Sequence, residues 1–177
     1  MRLLKKIIKF ILAFFKIEER HVAFPIFRHN IYSQNGEDGI IEFILKKIPS
    51  IPRFIIDIGA NNGIENSNSR LLIEKYHFKA LLIEPYQTAF EKLVALYHNN
   101  NDILLSNKAV GPQHKAHGAI NWHGHFKDKM MAIAEIDTVL EEHDLPKHIG
   151  FLSIDIDGGD NDVLQTIDWK QFSPRFV

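Results

Sequence analysis

The chain has 177 residues, 45% hydrophobic and 24% charged, with a formal net charge of −1 and no cysteine. That length suits one domain burying roughly 70% of its unfolded surface. The balanced charge gives no global attraction to nucleic acid, and the missing thiols exclude a disulfide scaffold, a thiolate nucleophile and cysteine-ligated zinc.

Taken in chain order, residues 1–20 predict a basic amphipathic helix. Arg2, Lys5, Lys6, Lys9 and Lys16 share one face; Leu3, Leu4, Ile7, Ile8, Ile11, Leu12, Phe14 and Phe15 fill the other. This pattern suits peripheral contact with an acidic membrane surface through residues 1–17, and equally a helix docked on protein. It is too short, and too interrupted by Lys9, to span a bilayer. Residues 21–53 form an N-terminal unit: an irregular stretch broken by Pro25, a loop Ser33–Gly39, and a helix from Ile40 ended by Pro49.

The core occupies residues 54–177. Phe54–Ile58 reads as a buried parallel strand, and Gly59 and Gly63 frame the turn into a helix from about Asn66 to Tyr76. A second strand runs Ala80–Glu84. Thr88-Ala-Phe-Glu91 has the form of a capping box opening a helix to about His98. Ile103–Ser106 is a third strand, and Val110–Lys129 a hairpin or long loop. A short helix follows over Asp137–His143 with Asp137 as its cap. Phe151–Ile156 is a fourth strand leading to a helix near Asp162–Ile167. Arg175–Val177 reads as the opening of a further strand, so the expectation is a unit with its C-terminal strands missing, either truncated or a short relative with an unusual sheet edge. Alternating strands and helices predict an α/β fold: a mostly parallel sheet with helices on both faces.

Three strands end in acids: Asp57, Glu84, and the pair Asp155 and Asp157. Glu84 follows Asp57 at the separation where βαβ units place an acid on ribose hydroxyls. Gly59-Ala-Asn-Asn-Gly63 is not the pyrophosphate-binding G-x-G-x-x-G, so a ribose ligand without phosphates suits this edge better than a dinucleotide. The plain alternatives are that Asp57 caps its turn and Glu84 faces solvent. Asp155, Asp157 and Asp160 are candidates for a general base or for oxygen ligands of a divalent cation such as Mg²⁺. Asp160 could instead cap the next helix while Asp155 accepts loop amides. His114, His117, His123 and His125 around Trp122 read as surface histidines, with Trp122 available to stack on a sugar ring.

Together, Tyr32-Ser-Gln-Asn-Gly-Glu-Asp-Gly-Ile-Ile41, Ile56-Asp-Ile-Gly-Ala-Asn-Asn-Gly63, Leu82-Ile-Glu-Pro-Tyr86, Asn107-Lys-Ala-Val-Gly111, Glu135-Ile-Asp-Thr-Val-Leu140 and Leu152-Ser-Ile-Asp-Ile-Asp-Gly158 resemble the FkbM family of S-adenosylmethionine-dependent methyltransferases. The resemblance implies a Rossmann-like class I methyltransferase fold and O-methylation of a small-molecule or glycan acceptor. It implies that Asp57, Gly59, Asn61 and Gly63 line the methionine part of S-adenosyl-L-methionine, that Glu84 holds the ribose, and that Asn107 and Ala109 sit near adenine. Asp155 and Asp157 would face the transferred methyl, and the Ser33–Gly39 loop would close over the cofactor, its plain alternative being a helix-entry loop with capping residues. Many members have Asp-x-Glu-Gly where this chain has Asp-Ile-Asp-Gly. The expected setting is cytoplasmic, peripheral on the inner membrane face. The competing readings are an inactive cofactor-binding remnant, a membrane-associated module, or a nucleotide-binding oxidoreductase.

Overall fold

The computed structural model describes residues 27–111, 133–156 and 158–177. The amphipathic segment, the histidines around Trp122, and Asp157 lie outside the described residues.

Helix α1 (Glu37–Lys47) precedes strand β1 (Phe54–Ile58). Then follow α2 (Arg70–Tyr76), β2 (Lys79–Ile83), α3 (Gln87–Tyr97) and β3 (Ile103–Ser106). Short strands β4 (Ala109–Val110) and β5 (Ile133–Ala134) pair with each other. Helix α4 (Ile136–Glu141), β6 (His148–Ile154), α5 (Asp160–Thr166) and β7 (Ser173–Phe176) complete the described chain. The main sheet has the order β3-β2-β1-β6-β7, and every pairing in it is parallel.

The apolar runs explain this arrangement. All five residues of β1 are buried, as a strand covered on both faces requires. Ile55, Ala80 and Leu82 face one layer with Ile44 and Leu45 of α1, Leu72 and Ile73 of α2, and Leu93 and Tyr97 of α3. Phe54, Ile56, Ile58, Leu81 and Ile83 face the other, against Val139 and Leu140 of α4 and Val163 of α5. Alternation along each strand thus divides two apolar layers between three helices and two.

Several helix starts differ from the sequence reading. The Thr88–Glu91 capping box does not form. Helix α3 begins at Gln87 behind Tyr86 with no side-chain cap, and Glu91 instead accepts a hydrogen bond from Gln87 Nε2 at 3.0 Å. The Glu84 carboxylate accepts the N–H of Tyr86, the residue just before the helix, at 2.7 Å. Asp137 lies in the first turn of α4 behind Glu135, not at its cap. Helix α2 starts at Arg70, later than expected, because Asn61 and Asn66 adopt left-handed backbone and Asn62 Oδ1 accepts the N–H groups of Ile64 and Glu65. Asparagine tolerates that conformation and competes for backbone donors, which keeps residues 61–69 out of a helix. Among the described residues no helix is long and apolar enough to cross a membrane.

Candidate functional site

Register builds the site. Ile58 of β1 lies level with Ile83 of β2 and Ile154 of β6. The next residue of each strand, Gly59, Glu84 and Asp155, therefore leaves the sheet at one height. Strand order also reverses here: the chain runs outward from β1 to β3, then crosses back to add β6 on the other side of β1. Open α/β sheets bind ligands at such a switch point, outside the carboxyl ends of the strands. A crevice of about 440 Å³ occupies that place, within the rough 300–1,000 Å³ range of small-molecule sites. Asp57, Gly59, Asn61, Glu84 and Asp155 all line it.

Gly59 has φ +90°, and a Cβ there would lie 2.1 Å from the Asp155 carbonyl oxygen. Both facts demand glycine. Its N–H and that of Ala60 donate to the Ile83 carbonyl at 2.9 and 3.1 Å, tying the turn to β2. Glu84 is only 7% exposed. One carboxylate oxygen accepts the Asn61 N–H at 2.8 Å and the other accepts the Tyr86 N–H. A carboxylate has about four acceptor positions, so two remain for a ligand. Burial raises the Glu84 pKa, opposed by those amides, and the nearby Asp57 charge adds to the rise.

Asp57 is 2% exposed and accepts the Ser69 hydroxyl at 2.6 Å. Burial drives its pKa upward; the hydroxyls of Ser69 and Ser153 oppose this, and the Asp155 charge reinforces it. Asp155 is exposed at the tip of β6. Asp160 turns inward to its own loop, accepting the N–H groups of Ile156 at 2.9 Å and Gly158 at 3.4 Å. The alternative cap by Asp160 does not form, because α5 starts behind Gly159 with no side-chain cap. Among the described residues no three His, Asp or Glu side chains gather as a metal site would need.

Gly63, Asn107 and Ala109 lie outside the crevice lining. Gly63 has φ +70° and backs onto α3, where a Cβ would meet Leu93 at 2.6 Å. Asn107 donates through Nδ2 to the carbonyls of Glu84 and Pro85 at 2.8 and 3.2 Å, fixing the backbone that carries Glu84. Ala109 is buried in β4. Conversely, Ser67, Asn68 and Tyr86 line the crevice without being expected there from the sequence, and Gln34 lines it from the Ser33–Gly39 loop expected to cover the cofactor. The polar run Asn61–Asn68, too rich in asparagine for a helix start, was the available signal.

The crevice sits at the switch point of a parallel α/β sheet, with buried acids and no Lys, Arg or His among its described lining residues, a setting that favours a cationic over an anionic ligand. The chain belongs to the methyltransferase FkbM domain family, which residues 57–177 match. Membership implies an S-adenosylmethionine-dependent methyltransferase with a small-molecule methyl acceptor. No curated protein and no solved structure matches the chain.

Proposed function

We propose that the protein transfers a methyl group from S-adenosylmethionine to a hydroxyl of a sugar, glycan or related natural product. The observation carrying this reading is the shared crevice of Asp57, Gly59, Glu84 and Asp155. These residues fit the donor. Gly59 leaves room where a Cβ would meet backbone, and Glu84 keeps two acceptor positions for a vicinal diol. The acidic lining favours a cationic ligand over a phosphorylated one. When bound, the donor supplies a methyl group on a sulfonium, a leaving group ready for in-line displacement.

The chain's own part is alignment and proton handling. Glu84 holds the ribose, while Asp57, Gly59 and Asn61 line the methionine side. Gly63 serves by letting the turn pack on α3, and Asn107 by bracing the Glu84 backbone. Ala109, buried in β4, is held close behind that brace. Asp157, or Asp155 exposed at the tip of β6, would accept the proton of the acceptor hydroxyl.

Titration calorimetry tests the reading. The protein should bind S-adenosylmethionine and its demethylated product, and Glu84→Ala should weaken both by about 1–3 kcal/mol through lost charge-assisted hydrogen bonds. Binding of NAD in their place would overturn the methyltransferase assignment. Product binding with no transfer to a panel of glycan precursors would leave a cofactor-binding protein without turnover. For residues 1–17 we propose peripheral contact with an acidic membrane, based on their basic face. Deleting them should abolish cosedimentation with anionic vesicles at moderate salt, and retained binding would refute the contact.

A further inference from the structure

A segment from outside the sheet reaches the crevice. Gln34, in the loop expected to close over the cofactor, lines it, although the family match starts at residue 57. The backbone around Gln34 is heavily pinned. One carboxylate oxygen of Asp38 accepts three successive N–H groups, from Ile31, Tyr32 and Ser33, at 2.7, 2.7 and 2.8 Å. The Asp38 N–H in turn donates to Ser33 Oγ at 3.1 Å. Asn30 Oδ1 accepts the Gly36 N–H, and Glu37 accepts the Asn35 N–H at 2.7 Å. Asp38 is 0% exposed, and its second oxygen has no hydrogen-bond partner. Burying a carboxylate half-satisfied is costly, so the three amides it orients are the feature this arrangement sustains.

Packing holds the strap from two sides. A Cβ on Gly39 would lie 1.7 Å from the Phe27 carbonyl oxygen, so the first turn of α1 presses directly on the backbone leading into the strap. On the other side the Arg70 guanidinium covers the Tyr32 ring at 4.7 Å. Arg70 opens α2, and the residues just before it, Ser67 and Asn68, line the same crevice. The strap therefore joins the crevice on the α2 side, whereas Glu84 and Tyr86 belong to the α3 side.

A carboxamide both donates and accepts, and so complements an ammonium and a carboxylate presented together. We propose that Gln34 binds the amino-acid head of the methyl donor, and that Asp38 is a positioning residue holding the strap so that Gln34 reaches it. This rests on the crevice being the donor site.

The test is calorimetry with two probes: S-adenosylhomocysteine, and 5′-methylthioadenosine, which keeps the nucleoside and sulfur but lacks the amino-acid head. Gln34→Ala should lower affinity for the first about tenfold, the effect of one lost charge-assisted hydrogen bond, and leave the second within about twofold. Equal loss for both probes, or no loss for either, would overturn the role of Gln34. Asp38→Asn is nearly isosteric, removes the charge and replaces one acceptor oxygen with an NH2 donor. It should weaken S-adenosylhomocysteine several-fold in the wild-type background and add nothing to Gln34→Ala, because both act through one contact. An additive loss, or none, would overturn the positioning role. Wild-type protein binding neither probe would instead sink the donor-site reading itself, an outcome separable from every variant result.

Discussion

Asp57 carries the sharpest conflict between burial and charge in the site. It sits at the end of a fully buried strand, with Ser69 Oγ at 2.6 Å and the Asp155 charge raising its pKa further. An acid whose folded pKa is raised binds its proton more tightly in the folded state than in the unfolded one. Stability it allows at low pH is then lost as pH climbs above its ordinary value of 3.8 and through the folded value. Glu84 shifts in the same direction from 4.5. The ligand-free protein should therefore lose stability at these two groups as pH rises above their ordinary values of 3.8 and 4.5, and Asp57→Asn should flatten that loss in urea melts. A stability profile in the variant as steep as in wild type would contradict this. The same substitution should weaken donor binding about tenfold, since the acid that strains the empty crevice suits a cationic guest. Gln34 was legible only at the level of its loop. Ser33–Gly39 was expected over the cofactor, but which of its side chains meets the acids depends on how Asp38 pins the loop backbone.

At the scale of elements, contrasting substitutions separate packing from local capping. Leu82 is 0% exposed in the layer shared with α1, α2 and α3. Leu82→Ala should cost about 2–5 kcal/mol in urea unfolding, as for truncations in other tightly packed cores. Thr88 looks like a cap in the sequence, yet α3 begins ahead of it without a side-chain cap. Thr88→Ala should stay within about 0.5 kcal/mol of wild type, and a larger loss would mean the hydroxyl caps after all. The strands were legible because parallel, doubly covered strands read as continuous apolar runs, and β1 and β3 match the expected spans. Helix starts were less so. Asn62 and Glu84 engage backbone donors across loops, and such bonds leave no local pattern.

Across the whole molecule, the expectation of parallel strands with helices on both faces agrees with the five-stranded sheet and with family membership. Strand β7 was anticipated from Arg175–Val177 and instead spans Ser173–Phe176, beside β6. The acidic switch point was legible because Glu84 and Asp155 each follow directly on an apolar strand run, with Asp57 inside the neighbouring strand β1. The direction of each side chain was not. Asn107 faces the Glu84 and Pro85 carbonyls, and Gly63 faces α3; spacing alone gives proximity to a turn, never which side of it a residue serves. The pairing of β1 with β6 has a temporal meaning for a chain made from its N-terminus. Ile55 finds Ala80 early, but its other flank stays uncovered until Phe151 has been synthesised. Through that interval an apolar ribbon lies open to whatever passes, so the ribosome-bound intermediate is when this protein most needs a chaperone.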